Sequence, residues 1–80
     1  MHEVSLCESI IRIIERQAEK ERFSRVIKVH VELGDQSCAS EEALAFSFPH
    51  VAKGTRAEGA TLAFKHTMGG ALKVTELECI

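Results

Sequence analysis

Tryptophan and tyrosine are absent from this chain, and its aromatic content is four phenylalanines. It therefore has few rings to stack on bases. Acidic and basic residues are interleaved to a net charge of −2, so there is no basic stripe either, and nucleic-acid binding is disfavoured. No apolar run approaches the ~20 residues that a membrane-spanning helix needs. The start lacks the basic and apolar regions of a secretory signal, because His2, Glu3 and Glu8 stand in their place. These absences point to a cytoplasmic protein that engages neither nucleic acid nor membrane. Cysteine is scarce as well. Cys7, Cys38 and Cys79 lie far apart with no C-x-x-C, which fits neither a disulfide framework nor a zinc-finger spacing. They read as small thiols in a reducing compartment.

What is present is ordinary globular composition. With 45% hydrophobic and 28% charged residues in an 80-residue chain, one domain is expected. A chain this short buries a modest share of its surface, so its single core has little stability to spare.

The hydrophobic pattern divides the chain into five elements. Val4, Cys7, Ile10, Ile11, Ile14 and Ala18 follow the i, i+3, i+4, i+7 rule and predict a helix over 4–22. Leu6 and Ile13 broaden its apolar stripe, and Ser5 with Glu8 has the spacing of a capping box. A strand over 25–33 follows, with Ile27, Val29, Val31 and Leu33 on one face and Lys28, His30 and Glu32 on the other. Ser40 is a natural N-cap for a second helix, which Pro49 is expected to kink or fray and Gly54 to finish. Strands over 61–66 and 71–80 flank the turn signal Met68-Gly69-Gly70. Leu77 is out of phase with Leu72 and Val74, which predicts a bulge near Thr75-Glu76. The expected fold is α/β, in the order α-β-α-β-β: a small three-stranded sheet with two helices packed on one face.

The chemistry of greatest interest lies in Met1-His2-Glu3. A free amine followed by histidine is a chelator before any folding. The Met1 amine, the His2 backbone nitrogen and the His2 imidazole close a five-membered and then a six-membered ring on one metal. The backbone nitrogen must lose its proton, which favours Ni(II) or Cu(II), metals that accept planar nitrogen donors, over tetrahedral Zn(II). Glu3 can add a carboxylate or a further backbone nitrogen. Cys7 stands one helical turn beyond Glu3.

The segments behind that terminus form an ordered series. Ser5-Leu6-Cys7-Glu8-Ser9 comes first, followed by Val31-Glu32-Leu33-Gly34-Asp35 and Ala45-Phe46-Ser47-Phe48. Gly54-Thr55, Ala57-Glu58-Gly59-Ala60-Thr61-Leu62 and Gly69-Gly70-Ala71-Leu72-Lys73-Val74-Thr75-Glu76-Leu77-Glu78 complete it. Together with Met1-His2-Glu3, the series closely resembles the HypA/HybF family of nickel metallochaperones in [NiFe]-hydrogenase maturation, over nearly the whole chain. The resemblance implies a nickel-binding domain over 1–80, with Met1, His2 and Glu3 as metal residues and His2 the key ligand. It also implies partnership with the GTPase HypB, passage of nickel to the hydrogenase large subunit, and no enzymatic activity.

One departure from the family pattern is large. Family members carry a zinc module with two C-x-x-C pairs between the second and third strands. Here Leu62-Ala63-Phe64-Lys65-His66 meets Met68-Gly69-Gly70 almost at once. The module is missing between His66 and Gly69, so no zinc is expected. The shortened connection is expected to close as a hairpin or, if strained, to drive exchange of the last strand between two molecules of a homodimer.

Two other classes compete with this reading. An interaction module would dock the GTPase through Leu6 and Ile13 without itself carrying metal. An enzyme has the least support, since His50 and His66 have no partner at a catalytic spacing, and His30 reads as a solvated strand residue.

Overall fold

A computed structural model of the chain describes residues 2–36 and 40–80, with His2 described by its backbone alone. Five elements follow one another in the expected order: α1 (His2–Glu21), β1 (Val26–Gly34), α2 (Glu41–Ala52), β2 (Thr61–Thr67) and β3 (Leu72–Cys79). The strands form one sheet in the order β2-β1-β3. β1 runs parallel to β2, to which α2 connects it, and antiparallel to β3. One face of the sheet packs on the helices, and the core lies between them. No described helix is long and apolar enough to cross a membrane.

The stripe on α1 is narrower than its sequence suggests. Cys7, Ile10, Ile11, Ile14 and Ala18 are buried, whereas Val4 and Ile13 remain about 43% and 40% exposed. The helix begins at His2, so Ser5 lies inside it and the Ser5–Glu8 pair is not a cap. Arg22 takes a left-handed φ of 60° and ends the helix.

The cap on α2 is the one expected: the Ala43 N–H donates to Ser40 Oγ at 3.1 Å. Pro49 neither stops nor frays this helix, which continues to Ala52. The ring lies on the exposed side, and buried Phe48 and Ala52 hold the flanking turns against the core. Phe46 is 75% exposed: two residues from both Leu44 and Phe48, it falls on the opposite side of the helix from them.

Alternation along β1 fails at one place. Val26 is fully buried and Ile27 is about half exposed. The register with β3 slips between Val26 and Lys28, so Ile27 is the extra residue of a bulge and turns outward. A second slip lies between His30 and Val31, opposite Glu76 and Val74. Thr75 is the extra residue there, at the site expected from the phase of Leu77.

The link from β2 to β3 does not form a hairpin. β1, whose Val29, Val31 and Leu33 are all buried, takes the centre of the sheet, and among the described strands β2 and β3 pair only with it. The most apolar strand gains most from being central. Residues 68–71 must therefore pass over the C-terminal end of β1. The Gly34 N–H donates to the Ala71 carbonyl at 2.8 Å, and the Gln36 N–H to the Gly69 carbonyl at 2.8 Å. The connection thus closes within one chain.

Candidate functional site

The two helices run side by side in the same direction. Cys7 on α1 reaches the first turn of α2, where its Sγ lies 3.7 Å from the Leu44 carbonyl. Farther along, Glu15 accepts from both the side chain and the backbone N–H of Arg56, just beyond the end of α2. β1 runs the other way, since the Val26 N–H donates to the Arg56 carbonyl. The start of α1, the start of α2 and the C-terminal ends of β1 and β2 thus share one end of the molecule.

Of the three residues predicted to bind metal, Met1 lies outside the described residues, as does Cys38 elsewhere in the chain. His2 opens α1, and Glu3 occupies its first turn with a half-buried side chain. The first N–H groups of a helix have no carbonyl within the helix to bond, and the His2 amide is among them. Helix starts also favour negative charge, which suits a deprotonated backbone nitrogen. Among the described residues, no three His, Cys, Asp or Glu side chains come together as a metal-binding group.

Cys7 lies close to this segment but belongs to the core. It is fully buried, and burial pushes its thiol above the ordinary range, with the Glu3 carboxylate adding to the shift. A thiol held neutral in this way is a poor metal ligand near pH 7.

The three remaining histidines have partners that spacing could not reveal. His66 Nε2 lies 2.6 Å from Glu41 Oε1 and ties the end of β2 to the first turn of α2. His30 Nε2 lies 2.7 Å from Glu78 Oε2 on the open face of the sheet. That hydrogen bond holds Glu78 below the usual carboxylate range, with the charge of Lys28 assisting. His50 faces Phe46, their ring centroids 5.7 Å apart. Each partnership except the last joins residues distant in sequence.

Comparison with known proteins identifies the family and the fold. The HypA family, described as hydrogenase/urease nickel incorporation, metallochaperone, hypA, matches residues 1–77. The hydrogenase maturation factor HybF of Escherichia coli K12 is 50% identical over 62 residues, which are 78% of this chain and 55% of that protein. The hydrogenase maturation factor HypA of Paracoccus denitrificans is 47% identical over the same length and shares. The chain thus spans about half the length of the curated relatives it matches. In three dimensions it is similar to the solution structure of the Ni metallochaperone HypA from Helicobacter pylori, with a TM-score of 0.88. That match covers 98% of this chain and 97% of the other at 16% identity, a likeness of fold. With the family matched along nearly its whole length, this chain belongs to the HypA family of nickel-incorporation metallochaperones.

Proposed function

We propose that this chain carries Ni(II) as cargo on Met1, His2 and Glu3, for insertion into a [NiFe]-hydrogenase. The Met1 amine, the deprotonated His2 backbone nitrogen and the His2 imidazole form the chelate, and Glu3 supplies a further donor. The supporting observation is that α1 begins at His2, so the amide needed for chelation sits in a first turn whose N–H groups the helix does not use. Membership of a nickel-incorporation family supports the choice of nickel over copper.

Delivery would run with the GTPase HypB to the hydrogenase large subunit, in the cytoplasm and without catalysis by this chain. On this reading the family's zinc module is missing between His66 and Gly69, where residues 68–71 pass over the end of β1. Any role of that module in delivery is then lost, while the nickel segment stands on its own helix.

Calorimetry with Ni(II), on protein bearing its native N-terminus, tests the reading. Binding should be abolished by His2→Ala and by acetylation of the amine, and the bound metal should show the absorption of planar nitrogen coordination. Unchanged affinity in His2→Ala, or an oxygen-rich octahedral spectrum, would refute it. Retained HypB capture without nickel binding would instead favour a docking module. The 40% exposure of Ile13 is the observation on the side of that alternative.

A further inference from the structure

β3 is an edge strand: β1 occupies one side of it, and no described strand covers the other. Beside that edge runs a groove of about 390 Å³ under the second half of α1, where Ile13, Phe23, Val74 and Leu77 are joined by polar residues, Gln17 and Glu21 among them. A bare edge with apolar side chains beside it invites another strand. The composition of β3 indicates which one.

The order of apolar and polar positions along the strand is symmetric about the point between Thr75 and Glu76. Leu72, Val74 and Leu77 face the core side, Cys79 is exposed at the rim of the groove, and Lys73, Thr75, Glu76 and Glu78 are exposed. The Thr75 bulge makes this symmetry, because the extra residue lets both Val74 and Leu77 point inward. Two copies of β3 laid antiparallel would set Leu72 against Cys79, Val74 against Leu77, and Lys73 against Glu78, each pair occurring twice. Directly opposed residues share a face in such a ladder, so apolar would meet apolar and each lysine would meet a carboxylate. A twofold contact requires this self-complementarity.

We propose that the outer edge of β3 is a self-association surface, joining two copies of this chain into a continuous six-stranded sheet in that register. Each molecule keeps its own β3, so the contact differs from strand exchange. It leaves the N-terminal nickel segment outside the interface and is independent of the metal reading.

Sedimentation of the full chain over concentrations up to about 1 mM, against charge-reversed variants, tests the surface. Lys73→Glu alone or Glu78→Lys alone puts like charges in two symmetric pairs and should weaken the dimer about tenfold or more. The double variant restores opposite charges and should recover it. A cross-link checks the register. In Leu72→Cys with Cys38→Ser, oxidation should yield a dimer linked from residue 72 of one copy to Cys79 of the other. The two positions lie about 23 Å apart along one strand, too far to bond within a molecule. A chain that stays monomeric throughout overturns the proposal. So does a dimer indifferent to the single reversals, as strand exchange would give, or one linked Cys79 to Cys79.

Discussion

Gly34 at the end of β1 and Gly69 in the connection to β3 are packed backbone to backbone. A Cβ placed on Gly34 would lie 2.3 Å from the Gly69 carbonyl oxygen and 2.7 Å from its carbonyl carbon. Glycine is needed at position 34 because another stretch of main chain crosses where a side chain would stand. The crossing is also where the β2–β3 connection bonds to the end of β1, through the Gly34, Asp35 and Gln36 N–H groups.

Gly34→Ala should therefore destabilise the domain by about 2 kcal/mol or more, since backbone rather than a flexible side chain must move. Gly70→Ala, two residues after Met68 in the same connection, is the control. A Cβ there meets nothing within 4 Å, so its effect should stay within about 0.5 kcal/mol. Urea unfolding of the two variants checks the contrast.

Phe46 and Phe48 stand on the same helix with opposite fates. Phe48 is 1% exposed and Phe46 is 75% exposed. Phe48→Ala should cost about 3–5 kcal/mol, enough to unfold much of a domain this small, whereas Phe46→Ala should change stability by about 0.5 kcal/mol or less. Thermal denaturation followed by circular dichroism distinguishes them.

Cys7 separates core from ligand. Because its thiol is buried and held neutral, Cys7→Ser should leave nickel affinity within about twofold while lowering stability by about 1–3 kcal/mol, as a hydroxyl replaces an apolar thiol. Nickel titration and urea unfolding of one sample measure both. A large loss of affinity with the fold intact would place Cys7 in the site.

The His30–Glu78 pair predicts a pH dependence of known sign. Glu78 is held below the usual carboxylate range by its hydrogen bond from His30. Its contribution to stability is therefore present above that range and is lost as pH falls through the depressed value. In His30→Ala the Glu78 titration, followed by NMR, should move up towards the ordinary carboxylate range. An unmoved midpoint would show that the hydrogen bond is not formed in solution.

Local pattern was enough wherever chain neighbours determine the outcome. The period of Cys7, Ile10, Ile14 and Ala18 decides α1, the Ser40 hydroxyl caps α2, and the phase slip between Val74 and Leu77 marks the Thr75 bulge. The order α-β-α-β-β and the helices' shared face follow from those periods. The Met-His-Glu segment and the motifs behind it resembled the family, because those motifs are short runs of neighbouring residues that can be read without any tertiary contact.

Tertiary structure decided what depends on competition among distant segments. Which strand takes the centre is a contest for burial that β1 wins, and its victory sends residues 68–71 over Gly34 where a hairpin was expected. Ile27 yields its inward place to Val26 because a bulge shifts the pairing with β3, which alternation within β1 cannot reveal. His66 with Glu41 and His30 with Glu78 meet only after the sheet and helices have assembled. Sequence encodes the periodicity and local chemistry of each segment. The arrangement of those segments is settled by which of their surfaces leave water together.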